Sequence, residues 1–358
     1  MQQFTGTKPM AASHAFDVAR LEHYLAAQMP GFSGPLTVEQ FKGGQSNPTY
    51  QLGTPGARYV MRSKPGPLSK LLPSAHAVER EFRVMNALAP TPVPVPRMHL
   101  LCEDESVIGR AFYVMQCMAG RVLWEQSLPG LSPEDRAAVY DEMNRVIAAL
   151  HAVDPRAVGL SDFGRPGNYF ERQIGRWSRQ YQASATEPID AMDRLIAWLP
   201  QHLPASARDD SQVAIVHGDY RLDNLMFHAD EARVIAVLDW ELSTLGHPLA
   251  DFSYHCMAWH IPPGSFRGIG GLDLAALGIP SEADYVRRYC ERTGRGDPAE
   301  LMADWNFYLA YNLFRLAAIT QGIARRVLDG TAASAQARAS GAATRPLAER
   351  GWAFAQQA

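Results

Sequence analysis

The spacing of apolar residues in this chain changes near Gly120, and that change most restricts what it can fold into. Before it, short extended runs dominate. "LTVEQFKGGQSNPTYQLGT" reads as two strands around a polar, Gly-rich turn, and "ARYVMRSKPG" as a third strand stopped by Pro65 and Gly66. "TPVPVPRMHLLCED" opens on prolines and becomes a strand, and "GRAFYVMQCMAG" is an apolar strand ending at Gly120. Helices are expected over residues 16–29, where Phe16, Leu21, Leu25 and Met29 recur at helical intervals, and over "SAHAVEREFRVMNAL". In the second, Val78, Phe82, Met85 and Leu88 share a face and Ser74 is the candidate N-cap.

After Gly120 the pattern is mostly helical. "SPEDRAAVYDEMNRVIAALHAV" starts with Ser132 as N-cap, Pro133 at the first position and Glu134 and Asp135 in the first turn. "NYFERQIGRWSRQY", "MDRLIAWL", Glu282–Thr293 and residues 299–328 continue the helical reading. One interruption stands out: an apolar strand "VAIVHGD", a polar loop, and a hairpin made of "NLMF" and "VIAVLDW". The expectation is an α+β chain of two lobes, a small strand-rich one over residues 1–118 and a larger helical one over 119–358. Residues 1–13 are small and polar and are expected to be disordered. The Ala-rich end, "GTAASAQARASGAATRPLAERGW", reads as a weak helix or a mobile tail.

Composition excludes several classes. The formal net charge of −3 is spread without long like-charge runs, so nothing suggests a nucleic-acid partner. The four cysteines, Cys102, Cys117, Cys256 and Cys290, show no C-x-x-C spacing, which favours a reduced protein. The first residues lack an apolar signal-peptide core, and no apolar run approaches the roughly 20 residues of a membrane span. A soluble, cytoplasmic protein without membrane partners is expected. Oligomeric state is not legible.

The chemistry concentrates in "VHGDYRLDNLMF". Four residues separate Asp219 from Asn224, and the apolar "VIAVL" then delivers Asp239. A strand and its return would carry Asp239 back beside Asn224. Two carboxylates and an amide carbonyl are hard oxygen ligands suited to Mg2+. Phosphoryl transfer needs such a set: a metal to neutralise phosphate charge and a carboxylate to take the proton of the attacking hydroxyl. Protein kinases show the same order and spacing.

H-G-D-x-x-x-x-N followed by "LDWE" resembles the aminoglycoside phosphotransferase and choline kinase family. The resemblance runs from about Leu36 to Tyr254 and implies a protein-kinase-like fold, with a small antiparallel-sheet N-lobe carrying one main helix and a larger helical C-lobe. It implies ATP and Mg2+ as cofactors, with Asp219 as catalytic base and Asn224 and Asp239 as metal ligands. Nucleotide contacts fall on the covering turn (Gly43, Gly44, Gln45, Ser46, Asn47), on Arg62 with its partner Glu81, and on Gln116 and Met118 of the hinge. Lys64 competes with Arg62 for the phosphates, and Glu79 with Glu81 as partner. His217 and Asp251 are expected to brace the loop, with Asp223 a solvated bystander. "RSKPG", "SAHAVEREFRV", "VPVPR" and "RQIGRWSRQY" resemble more narrowly the N-terminal kinase-like domain of some acyl-CoA dehydrogenase fusion proteins; no dehydrogenase domain is expected within these residues.

Two features stay open. Arg172, Arg176 and Arg179 recur at helical spacing beside Trp177 and Tyr181, either as a solvated basic face or as a site for an anionic substrate group. "GIGG" sits between no strand and helix and reads as a flexible loop. The expected function is a small-molecule kinase phosphorylating a substrate hydroxyl, with a hydroxylated acid or acyl-CoA preferred over a polycationic aminoglycoside. The alternative is a nucleotide-binding regulator without turnover. No G-x-S-x-G elbow supports a hydrolase.

Overall fold

The structure is a computed structural model that describes residues 6–42, 47–65, 77–165, 167–264, 268–332 and 335–358. The chain falls into two compact units. One is Met1–Trp124 with Asp223–Ser243, the other Glu125–Leu222 with Thr244–Ala358. The hairpin expected in the larger lobe is thus counted with the sheet-bearing unit, and the division near the hinge falls at Trp124 rather than at residue 118.

The first unit is built on a six-stranded antiparallel sheet. Its strands are β1 (Thr7–Lys8), β2 (Thr37–Phe41), β3 (Thr49–Gly53), β4 (Arg58–Ser63), β5 (Met98–Cys102) and β6 (Phe112–Gln116), in the order β1-β2-β3-β4-β6-β5. Thr7 pairs with Phe41 and Lys8 with Gln40, so the expected disorder through residue 13 is corrected from residue 6 onward. Strand alternation sorts side chains to two faces. Met61, Phe112 and Val114 join Leu21 and Leu25 of α1 (Val18–Gln28) in one core, and Asp17 caps that helix by accepting from Arg20 N. The opposite face carries Arg62 and Tyr113 and meets α2 (Val78–Leu88). α2 buries Val78, Val84, Met85 and Leu88, with Ala77 at its N-cap position; Ser74 lies outside the described residues. A smaller sheet joins β7 (Arg121–Val122), β9 (Leu225–Phe227) and β10 (Val234–Val237) in the order β10-β9-β7.

The second unit is helical. It contains α3 (Pro133–Ala152), α4 (Tyr169–Ser184), α5 (Asp190–Trp198), α6 (Pro248–Cys256), α7 (Leu274–Leu277), α8 (Glu282–Thr293), α9 (Pro298–Ala303), α10 (Trp305–Leu328), α11 (Ala335–Ala342) and α12 (Thr344–Ala355). A two-stranded ribbon, β8 (Ala214–Val216) with β11 (Thr244–Gly246), completes it. Ser132 caps α3 as its sequence indicates, its hydroxyl accepting from Asp135 N. α10 is buried along most of its length and forms the centre of the unit.

Three expectations are corrected here. The helix expected over 299–328 is two helices, because Asp304 closes α9 and turns its carboxylate to the Ser206 hydroxyl. Within the Ala-rich end, the weak or mobile reading is corrected over α12, which buries Leu347, Ala348 and Ala355 and packs against α10 and α5. The "GIGG" segment is packed rather than loose. Ile269 is buried, its amide donates to Ala258 O, and a side chain at Gly268 would collide with the Ile261 carbonyl. Among the described residues no helix is long and apolar enough to cross a membrane. All four cysteines are unpaired, and three of them are buried.

Candidate active site

In the first unit, β4 and β6 set the geometry. Arg62 stands opposite Tyr113 in the register, so both side chains leave the same face of the sheet. Glu81, one turn into α2, meets them there at 1% exposure. Arg62 Nε lies 3.1 Å from its Oε2, a charge pair whose N–H is not aimed at that oxygen. The Tyr113 hydroxyl donates to Oε2 at 3.1 Å, and Asn47 Nδ2 donates to Oε1 at 2.8 Å. Burial pushes the Glu81 carboxyl above its ordinary range, and Arg62 is the main influence pulling it back. The other end of the guanidinium reaches further. Nη2 donates to Asp239 Oδ1 at 2.7 Å and stands 3.6 Å from Glu241 Oε2. Lys64 pairs instead with Glu79. The two alternatives left open by the sequence therefore sort into separate pairs, Arg62 with Glu81 and Lys64 with Glu79.

Asp239 reaches this group through the hairpin. Val237 pairs with Leu225, and Leu238 N donates to Asn224 O at 2.8 Å, so the return strand does bring Asp239 back to Asn224. Asp239 holds φ +65, a left-handed conformation that few non-glycine residues adopt and that concentrates at functional positions. Asn224 is buried. Asp223 is buried too, at 9% exposure, which corrects its reading as a solvated bystander: the short 3-10 turn Leu222–Asn224 draws it inward. Gln116 ends β6 with its side chain exposed and its amide donating to Arg97 O; Met118 follows half-buried. Gly43, Gly44, Gln45 and Ser46 lie outside the described residues.

In the second unit, β8 runs directly into His217-Gly218-Asp219. Asp251, in the first turn of α6, accepts from His217 N at 2.6 Å and from Gly218 N at 2.9 Å. His151 of α3 adds Nε2 at 3.3 Å from Asp251 Oδ2. Burial alone would raise the Asp251 carboxyl, but these hydrogen bonds and nearby imidazoles hold it below its ordinary range. His217 Nδ1 accepts from Asp219 N at 3.2 Å. The Asp219 carboxylate is held from two sides, by the Tyr254 hydroxyl at 2.6 Å from Oδ1 and by Arg221 Nη2 at 3.2 Å from Oδ2. Burial keeps the Tyr254 hydroxyl protonated, so it donates.

A model of the phosphotransferase enzyme family (APH) matches residues 37–301. The chain belongs to this family. Acyl-CoA dehydrogenase family member 10 of Mus musculus is 47% identical over 353 residues, which are 98% of this chain and 32% of that protein. The crystal structure of a Ralstonia eutropha protein, named a candidate aminoglycoside phosphotransferase, is 62% identical with a TM-score of 0.87, covering 96% of this chain and 99% of the other. The aminoglycoside phosphotransferase APH(4)-Ia, in a ternary complex with ADP and hygromycin B, superposes with a TM-score of 0.57 at 16% identity, covering 94% and 98% of the two chains. The fold is therefore the protein-kinase-like fold of these enzymes, and the chain is a phosphotransferase of a family acting on small molecules. It spans about a third to under half of the length of the curated relatives it matches.

The groups around Arg62 and Asp219 include residues that the sequence did not point to. Tyr113 was legible in principle, because strand register places it beside Arg62. Tyr254, Arg221 and Arg315 were not singled out. Arg315 sits within the apolar run "YNLFRLAAI" of α10, where a lone charge signals a buried partner. Arg172 donates to Arg165 O at 2.6 Å, Arg176 lies over the Trp177 ring, and Arg176 and Arg179 are exposed.

Proposed function

We propose that this phosphotransferase is an ATP-dependent kinase that moves the γ-phosphoryl group of ATP to the hydroxyl of a small molecule. The observation that carries this reading is the network around Arg62: one cation held by Glu81 and in contact with Asp239, on a hairpin that returns to Asn224. In this reading Arg62 grips the nucleotide phosphates, and Glu81 fixes its direction. Gln116 and Met118 meet the base, and Gly43, Gly44, Gln45, Ser46 and Asn47 form the covering turn. The APH(4)-Ia neighbours solved with ADP and with AMP-PNP support an adenine nucleotide as donor.

Among the described residues no three His, Cys, Asp or Glu side chains gather as a ready metal site. The donor set still fits Mg2+, which binds through one or two protein oxygens together with substrate phosphates. Asn224 and Asp239 would hold it, with the Asp239 side chain about a third exposed and so able to turn to a ligand. Bound there, Mg2+ would supply charge neutralisation at the transferring phosphoryl group.

Asp219 orients the acceptor hydroxyl and takes its proton as the new P–O bond forms and the bond from the γ-phosphorus to the bridging oxygen breaks, releasing ADP. Tyr254 and Arg221 hold the carboxylate in one orientation for that step. Both line a small recess of about 40 Å3 with Gln126, Met257, Ile261 and Leu316, and among the described residues its lining holds no carboxylate. A polycationic aminoglycoside would call for acidic walls, so an acceptor with apolar surface fits better. The acyl-CoA dehydrogenase names of the curated relatives, of which this chain spans under half, support hydroxylated acids and acyl-CoA compounds as candidates. Arg172, Arg176 and Arg179 remain candidates for an anionic group at a distance from the hydroxyl. The cytoplasm, where ATP and Mg2+ are abundant, is the proposed location.

Labelled ATP, Mg2+ and a library of hydroxyl compounds test the reading, with Asp219→Ala beside the unmodified protein. Transfer of label by the unmodified protein alone is expected. Equal labelling by both would remove Asp219 from the reaction, and tight ATP binding without transfer to any acceptor would favour a regulator.

A further inference from the structure

Arg315 lies inside α10 at 7% exposure. A buried guanidinium ordinarily faces a carboxylate, because an uncompensated buried charge is costly. Arg315 makes no ion pair among the described residues. Its Nη2 instead donates to the Gly218 carbonyl at 2.5 Å. Its guanidinium carbon stands 5.0 Å from the centre of the Tyr254 ring and 5.8 Å from that of Trp177. These distances fall within the range at which a cation is attracted to an aromatic face.

The two contacts converge on one carboxylate. Gly218 immediately precedes Asp219 and holds φ +83, a turn that only glycine adopts without strain. Asp251 holds the loop by the His217 and Gly218 amides, which leaves the Gly218 carbonyl to be fixed by another donor. Arg315 is that donor. Tyr254, against whose ring Arg315 lies, is the residue whose hydroxyl holds Asp219 Oδ1. Arg315 thus touches both the peptide that sets the direction of Asp219 and the side chain that sets its rotamer.

We propose that Arg315 is a positioning residue for phosphoryl transfer, fixing the Gly218–Asp219 peptide and, through Tyr254, the orientation of the Asp219 carboxylate. The proposal rests on the kinase reading above. It predicts an effect on turnover rather than on nucleotide binding, since every contact of Arg315 described here belongs to the helical unit and none involves Arg62, Glu81 or Asp239.

The test measures phosphate release from Mg-ATP with water as acceptor, in Arg315→Met, Arg315→Lys and the unmodified protein, alongside melting temperature. Arg315→Met is expected to lower kcat by about 100-fold, the scale of a misplacement near 1 Å, with KM for ATP within about twofold. Arg315→Lys keeps the charge but not the planar fork, and is expected to recover about tenfold of that loss. Unchanged kcat in both variants, or a loss that appears in KM, would overturn the proposal. Should Arg315→Met fail to fold, the lysine variant decides alone: a melting temperature like the parent's with a kcat about tenfold lower supports it, and an unaltered kcat overturns it. If the unmodified protein releases no phosphate and labels no acceptor, the kinase reading fails separately. Amide exchange at residues 217–219 then decides: about tenfold faster exchange in Arg315→Lys, with the β8–β11 ribbon unchanged, supports the positioning role, and equal exchange refutes it.

Discussion

Arg62→Met isolates the buried network around Glu81. The variant keeps the two neutral donors to Glu81, from Asn47 and Tyr113, and removes the one cation within ion-pair distance of it among the described residues. Breaking a buried pair by deleting one partner costs about 3–5 kcal/mol. The lost contact to Asp239 adds little, because that side chain is about a third exposed and screened by water. The two retained hydrogen bonds, worth about 1.5–3 kcal/mol each to a charged acceptor, place the expected loss near the lower end, about 3 kcal/mol. The loss should depend on pH in a defined direction. Glu81 already sits above the ordinary glutamate range through burial, and removing Arg62 raises it further. Between the unfolded value of about 4.3 and that raised folded value, the folded state binds a proton that the unfolded chain does not, so stability falls as pH rises. The deficit relative to the parent is therefore largest above neutrality and shrinks toward about pH 5. Urea unfolding at about pH 5 and about pH 7.5 measures it, and adding Glu81→Gln to the variant should return most of the loss by removing the stranded charge. A deficit under about 1 kcal/mol at the higher pH, or one of equal size at both, would refute the reasoning.

Asp239→Ala should weaken Mg-ATP binding by about tenfold or more in titration calorimetry, and unchanged affinity would remove Asp239 from the metal site. The His217 and Gly218 amides reach different Asp251 oxygens, so Asp251→Asn turns an NH2 donor toward one of them; about 2 kcal/mol of stability and much of kcat should be lost, while a parent-like unfolding midpoint would contradict the brace. His247 and His255 are pushed down to about 4 by burial. The unfolded histidines take protons near pH 6.5 that the folded ones refuse, so each should cost about 3 kcal/mol of stability as pH falls from 7 to 4. His255→Asn should flatten that decline in a urea series, and an identical pH profile in parent and variant would exclude the histidine as its source.

What could be read from sequence divides along physical lines. The strands, the capped helices and the hairpin return were legible because each rests on local chemistry: alternation in β4 and β6, Ser132 with Pro133 at α3, and the apolar run ahead of Asp239. The partners of Arg62 were legible up to a choice between Glu79 and Glu81, which lie on different faces of α2, and packing selects the buried Glu81. The burial of Asp223, the break at Asp304 and the packing of α12 were not legible. Each depends on tertiary contacts, with α12 showing only a weak pattern of small residues until α10 and α5 are in place. Tyr254 and Arg315 were hidden for a further reason. They lie 35 and 96 residues after Asp219, and no spacing rule links a loop to a distant helix interior.

Arginine rather than lysine at position 62 follows from the geometry. The guanidinium addresses Glu81 through Nε and Asp239 through Nη2, two edges of one planar group, while Glu241 stands near the second edge. An ammonium is a single compact charge at the end of a flexible stem. It could neutralise Glu81 or approach Asp239, but it could not span both at 3.1 Å and 2.7 Å while its stem remained in the β4 register opposite Tyr113. Arg62 therefore ties the helix that carries Glu81 to the hairpin that carries Asp239 before any ligand arrives. The exposed side of that tie is the weaker one, because Asp239 is far more accessible than Glu81. A nucleotide phosphate competing for Arg62 would displace Asp239 first and leave the Glu81 anchor in place, freeing the Asp239 carboxylate when it is needed for another ligand.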